Sequence, residues 1–138
     1  MTDRGFTHVA LPVTRLEESL SFYESFAGLK LVHRRARADG PAGEVAWLSD
    51  GRRQFVLVLA TVDHVSNPLG PFAHLGIACT SRDEVDRLTA QAQSEGCYRD
   101  GPTEMGPPVG YIANLLDPDG HVLEIGFGQE IEGVTAPA

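Results

Sequence analysis

The strongest constraint on this chain is that it repeats itself. Phe6-Thr7-His8-Val9-Ala10-Leu11-Pro12-Val13 returns as Phe72-Ala73-His74-Leu75-Gly76-Ile77-Ala78-Cys79. Such self-similarity means one supersecondary unit built twice, and neither half is large enough to enclose a site alone. Both segments alternate, the period of a strand with one face buried under a helix. Val9, Leu11 and Val13 share one face, as do Leu75, Ile77 and Cys79 in the second copy. His8 and His74 fall on the opposite face, so each copy carries one histidine away from its helix.

A helix follows each strand with capping-box spacing, Thr14-x-x-Glu17 and Ser81-x-x-Glu84, in which hydroxyl and carboxylate satisfy backbone donors reciprocally. Leu16, Leu20, Tyr23 and Phe26 form the apolar stripe of the first helix. Val85, Leu88 and Ala92 form a thinner one in the second. Gly28 and Gly96 stand at the two stops. Strands are expected at 30–35, 45–48 and 54–60, and again at 111–116 and 122–127. Cys97-Tyr98-Arg99 is a weak candidate for the remaining strand. Asp50-Gly51 and Asp117-Pro118-Asp119-Gly120 mark hairpin turns. The expected fold class is α+β: two βαβββ modules at 5–60 and 71–128, joined by 61–71. Together they would make one domain over 1–138, a cup-shaped mixed sheet with helices on its outer face.

Composition narrows the function. The 138 residues carry 11 Lys+Arg against 19 Asp+Glu, a net charge of −8, which argues against nucleic-acid or anionic-membrane partners because both require a basic face. Cys79 and Cys97 form no Cys-x-x-Cys pair, which excludes a zinc ribbon and fits a reducing compartment. Met1-Thr2-Asp3-Arg4-Gly5 runs straight into a patterned strand, with no room for a leader, and no apolar run is long enough for a membrane helix. The cytoplasm is the expected location and a small molecule the expected partner.

The last hairpin carries the chemistry. Along Val122-Leu123-Glu124-Ile125-Gly126-Phe127, Glu124 shares a face with Val122 and Gly126. Asp117-Pro118-Asp119-Gly120 suits a type I turn followed by a left-handed glycine and a bulge, which sets Asp117 opposite His121 and Asn114 opposite Glu124. A carboxylate among apolar neighbours is costly to bury without a partner. His8, His74 and Glu124 then form a set of two imidazoles and one carboxylate with coordination positions left open. That set suits a divalent ion such as Fe, Mn, Ni or Zn. The plainer reading is two core histidines and one satisfied carboxylate.

The duplication, with FYESFAGLKL after the first strand and NLLDPDGHVLEIGFG at the end, resembles the vicinal oxygen chelate superfamily. Its members include glyoxalase I, methylmalonyl-CoA epimerase, extradiol dioxygenases, and fosfomycin and bleomycin resistance proteins. The resemblance covers roughly residues 5–128. It implies metal ligands at His8, His74 and Glu124, and a substrate that chelates the metal through vicinal oxygens. It also implies a homodimer, by the family's habit. The chain departs from the family pattern at two positions. The fourth ligand of glyoxalases and epimerases falls at Leu57, or at Phe55 under a shifted alignment, and neither binds a metal. The tyrosine that dioxygenases and fosfomycin-modifying enzymes place ten residues before the glutamate is Asn114.

Other residues are weighed singly. Glu44 is a weak candidate for a general base, by analogy with fosfomycin resistance enzymes, although the loop Asp39-Gly40-Pro41-Ala42-Gly43 blurs the alignment. The basic run His33, Arg34, Arg35 and Arg37 reads either as an anion contact, through Arg35, or as a charged edge strand. Trp47, Met105, Tyr111 and Asn114 are candidate substrate contacts, with Met105 and Val109 on a loop that spans Gly101–Gly110. Cys79 reads as inert core and His64 as a surface residue of the connector. A metal-dependent lyase, isomerase or dioxygenase-like enzyme is the leading expectation. The alternative is a non-catalytic protein of the same fold that sequesters an antibiotic or other metabolite.

Overall fold

The computed structural model describes residues 4–38 and 43–135. The first three residues and most of the loop at 39–43, both read above, lie outside that range. The chain divides into two compact units between Ser66 and Asn67, inside the expected connector.

The first unit runs β1 (His8–Val13), α1 (Leu16–Ala27), β2 (Lys30–Ala36), β3 (Glu44–Ser49) and β4 (Val56–Thr61). Its four-stranded sheet has the order β1-β4-β3-β2, with β1 parallel to β4 and the other pairs antiparallel. The second unit repeats this with β5 (Leu75–Ala78), α2 (Arg82–Glu95), β6 (Tyr98–Glu104), β7 (Tyr111–Leu116) and β8 (Val122–Phe127), then adds a short α3 (Ile131–Thr135). Its order is β5-β8-β7-β6, again with the first and last strands parallel. The fold is the expected α+β pair of βαβββ modules with two mixed sheets. Among the described residues no helix is long and apolar enough to cross a membrane.

Each core lies between one sheet face and one helix. In the first unit Leu11, Val13, Ala46, Leu48, Leu57 and Leu59 are buried, as are Leu16, Phe22, Tyr23 and Phe26 of α1. Phe22 meets Tyr23 edge-on at 5.0 Å, an arrangement aromatic rings prefer, and packs tilted against Phe26 at 5.1 Å. In the second unit Ala113, Leu115, Leu123 and Ile125 are buried, with Val85, Leu88 and Ala92 of α2. Burying each larger aliphatic side chain is worth about 1.5–3 kcal/mol.

The helix ends correct two expectations. Thr14 does not cap α1: the N-cap is Arg15, with no side-chain cap bond. Glu17, the other half of the expected box, instead accepts the Arg34 guanidinium of β2 at 2.6 Å. Ser19 and Phe22 complete the buried stripe, while Leu20 is only half-buried. In α2 the Ser81 hydroxyl accepts the Glu84 N–H at 3.0 Å, and the Glu84 carboxylate reaches back to the Thr80 N–H at 3.1 Å. Gly28 stops α1 in the left-handed region (φ +64°), with Leu29 N–H donating to the Tyr23 carbonyl, a Schellman closure.

The weak candidate at residues 97–99 is the start of a seven-residue strand. β6 continues through Gly101 and Pro102, where a loop was expected. It is an edge strand with register shifts at Tyr98/Asp100 and Asp100/Thr103, and an irregular edge tolerates a residue without an N–H.

The turn at Asp117–Gly120 forms as its residues dictate. Asp117 N–H donates to the His121 carbonyl at 2.8 Å, Gly120 N–H donates to the Asp117 carbonyl at 3.0 Å, and Gly120 has φ +88°. Asn114 pairs with Glu124. The His121 ring is buried, at 1% exposure, which no local pattern signals. Its Nδ1 accepts the Leu69 N–H at 2.8 Å, and Val122 N–H donates to the Leu69 carbonyl at 2.9 Å. These bonds fasten the entry segment of the second unit to its last hairpin. His121→Ala leaves a cavity and orphans the Leu69 N–H. Denaturant unfolding should therefore show a loss of about 2–4 kcal/mol; an unchanged midpoint would remove His121 from this role.

Candidate functional site

In the first unit the sheet face away from α1 is set by register. His8 pairs with Val56, Ala10 with Val58, Val58 with Trp47, and Trp47 with His33. The His33 and Trp47 rings meet edge-on at 5.3 Å. Trp47, 40% exposed, is thus a wall of this face rather than core. His8 Nδ1 lies 2.8 Å from the Thr7 hydroxyl. Beside it is an open pocket of about 440 Å³, lined by Ala10, Trp47, Val56 and Val58 with Arg53, Gln54 and Phe55 from the β3–β4 turn.

This register corrects the assignment of the fourth-ligand position. Leu57 is buried on the helix face at 4% exposure, and the counterpart of Glu124, which pairs with Gly76, is Val58, which pairs with Ala10. That position is apolar and cannot bind a metal. The register also divides the basic run. Arg35 pairs with Val45 and takes the same face as His33 and Trp47. Arg34 takes the helix face, where it donates to Glu44 at 2.7 and 2.8 Å and to Glu17 at 2.6 Å. Glu44, the candidate base, therefore lies on the face away from His8. Hydrogen bonding to Arg34 holds its carboxyl below the usual carboxylate range, which weakens it further as a proton acceptor.

In the second unit the corresponding face carries the row Gly76, Glu124, Asn114 and Asp100. Glu124 is buried, at 8% exposure. His74 stands immediately before β5, and its Nε2 is 3.7 Å from Glu124 Oε1. Its Nδ1 is 2.6 Å from the Phe72 carbonyl oxygen, which can only accept. The proton therefore sits on Nδ1, and a neutral ring turns its Nε2 lone pair towards Glu124. Gln129 Nε2 donates to Glu124 Oε2 at 3.2 Å, and Asn114 Nδ2 donates to Asp100 Oδ1 at 2.8 Å. A Cβ on Gly76 would come 3.6 Å from Glu124 Oε2, so glycine leaves space beside the carboxylate. Among the described residues no three His, Cys, Asp or Glu side chains gather at metal-binding spacing; His74 and Glu124 are a pair.

Tyr111 is on the other face. Its hydroxyl donates to Asp86 of α2 at 2.5 Å and the Arg82 guanidinium lies 3.9 Å over its ring, so it does not join Glu124. The hairpin register already carries this signal, because Tyr111 is an odd number of residues from Asn114. Met105 is exposed in the loop after β6, where its N–H donates to the Gly110 carbonyl at 2.9 Å. Cys79 is buried and its thiol is pushed up to about 12, chiefly by burial, consistent with inert core. His64 is exposed in the connector. Gln54, Val56 and Val58 are pocket walls and Gln129 is the partner of Glu124, roles that no local motif signals.

The model of the Glyoxalase/Bleomycin resistance protein/Dioxygenase superfamily matches residues 5–125, and the chain belongs to this superfamily. It is 34% identical over 128 residues, 91% of this chain and 89% of the other, to an uncharacterized protein of Pseudomonas aeruginosa. Among solved structures it is similar to a variant of the fosfomycin resistance protein FosX from Listeria monocytogenes, complexed with Mn(II) and 1S,2S-dihydroxypropylphosphonic acid. That likeness has a TM-score of 0.74 and 16% identity, over 98% of this chain and 100% of the other. A possible glyoxalase from Bacillus cereus matches with a TM-score of 0.68 and 22% identity, over 90% and 99%. At these identities the structural likeness is one of fold.

The pocket rim depends on the β3–β4 turn. Asp50 Oδ1 accepts the Arg52 and Arg53 N–H groups at 2.8 and 2.9 Å, and Oδ2 meets the Arg53 guanidinium. These bonds, the backbone ones foremost, lower its pKa from 3.8 to about 2. A lowered folded-state pKa gives stability that is full above the unfolded value and lost as pH falls through the folded one. Acid unfolding of the native chain should therefore steepen as pH falls from 3.8 towards about 2, and Asp50→Asn should flatten that limb. An identical pH profile for the variant would contradict the turn's role.

Proposed function

We propose that this protein is a divalent-metal-dependent enzyme acting on a small substrate that chelates the metal through vicinal oxygens, with His8, His74 and Glu124 as the metal ligands. The observation that carries this reading is the pairing of His74 Nε2 with Glu124 Oε1 at 3.7 Å while the Phe72 carbonyl engages His74 Nδ1. Metal-ligating histidines are characteristically held this way, the second nitrogen donating to a carbonyl so that the first presents its lone pair. Glu124 accepts one amide bond, from Gln129, and a carboxylate has lone pairs to spare beyond it. His8, the counterpart of His74 in the repeat, has its Nδ1 engaged by Thr7, and the reading takes it as the second nitrogen donor beside one carboxylate. The Mn(II) complex of FosX supports divalent-metal use within the fold family.

Fe, Mn, Ni or Zn would supply Lewis acidity to oxygens bound in the positions the protein leaves open. The chain's own residues orient the site. Phe72 and Thr7 engage the imidazoles, Gln129 holds the carboxylate, and Ala10, Val56 and Val58 make the surface beside His8 apolar. A homodimer in the cytoplasm belongs to the same reading.

Metal analysis after chelator-free expression tests it. About one divalent ion per chain is expected, with at least a tenfold loss of affinity in each of His8→Ala, His74→Ala and Glu124→Ala. Full retention of metal by Glu124→Ala would contradict the ligand set. Metal-free protein that binds a drug-like molecule tightly would favour sequestration instead.

A further inference from the structure

The pocket beside His8 has a polar end and an apolar end. Val56 N–H donates to the Thr7 carbonyl at 3.1 Å, and this fixes the β3–β4 turn next to the start of β1. Thr7, His8, Arg53 and Gln54 therefore gather at one end of the pocket. From there the floor passes along Val56, Ala10 and Val58 to the indole of Trp47, partly exposed and paired with His33. The Arg53 guanidinium is neutralised by Asp50, so the polar end offers hydrogen bonds rather than a net charge. The volume, about 440 Å³, falls in the range of sites for small organic ligands.

The geometry points to a substrate with an oxygen-bearing head at His8 and a flat apolar tail, aryl or extended alkenyl, lying over Val58 against Trp47. This makes Trp47 a specificity-determining residue and excludes compact, strongly charged molecules as the preferred occupants. The inference deepens the proposed function and rests on it only for calling the occupant a substrate. The pocket wall itself belongs to the first unit and needs no metal.

Trp47 is the one tryptophan of the chain, so its fluorescence reports the pocket directly. The whole protein is titrated with 4-phenyl-1-butanol, 1-butanol and methylphosphonate, after chelator treatment and again loaded with Mn(II). Phenylbutanol should shift and saturate the emission in both states, at least tenfold more tightly than butanol, with no response to methylphosphonate. Ala10→Phe, which plugs the floor from an exposed position, should weaken phenylbutanol at least tenfold. Equal binding of butanol or methylphosphonate would overturn the proposal, as would a response confined to the Mn(II) state. It would also fall if sedimentation showed this face covered by a second copy, with Trp47→Ala dissociating an oligomer and phenylbutanol giving no signal. Should Ala10→Phe fail to fold, the ranking of the three probes on the native chain decides alone. Metal content, measured separately, judges the ligand set whatever the probes show.

Discussion

Each unit is organised by one long-range contact, the parallel pairing of its first strand with its last. A parallel pair cannot be joined by a tight turn, so the chain must leave the sheet and return. The helix serves as part of that return and covers one face as it goes. The pairing sets His8 beside Val56 in the first unit and Gly76 beside Glu124 in the second. In both units the opposite face is the one this helix leaves uncovered. The duplicated histidines are therefore equivalent in origin but not in surroundings: His8 borders an apolar pocket, and His74 borders a buried carboxylate.

The same alternation separates stabilising charge from chemical charge. Arg34 turns to the helix face and ties Glu17 of α1 to Glu44 of β3, which accounts for two carboxylates that a sequence scan would otherwise leave available. Arg82 lies over the Tyr111 ring and bonds Glu104 at 2.5 Å, the counterpart on the helix face of the second unit. Such exposed pairs contribute little each to stability. They do remove the most obvious acid, base and phenol from the faces that carry His8 and Glu124.

Local signals made much of this legible. Asp117-Pro118-Asp119-Gly120 dictates its own turn, and the turn dictates that Asn114 faces Glu124, so the second hairpin could be read to the residue. Gly28 and Gly96 ended both helices where a left-handed residue was needed. Long-range pairings were less legible. No turn fixes β1 against β4, and β4 is apolar on both faces, so sequence leaves its parity open between Leu57 and Val58; a slip of one residue exchanges the faces entirely. Thr14 is not the cap because α1 begins after Arg15, one residue later than the motif implies, while the Glu17 carboxylate bonds Arg34, a contact between distant segments. β6 ran on through Gly101 and Pro102 because an edge strand tolerates bulges. Burial of the His121 ring depends on Leu69, on the far side of α2 in the chain, and no local pattern announces it.

The central claim is that two histidine nitrogens and one buried carboxylate hold a divalent ion. Electron spin-echo spectroscopy of the Mn(II)-loaded protein measures this most directly, because imidazole nitrogen bound to manganese modulates the echo. The account predicts modulation from two nitrogens in the native chain, falling to one in either His8→Ala or His74→Ala. A spectrum of fully hydrated manganese, or one unchanged by those substitutions, would contradict it.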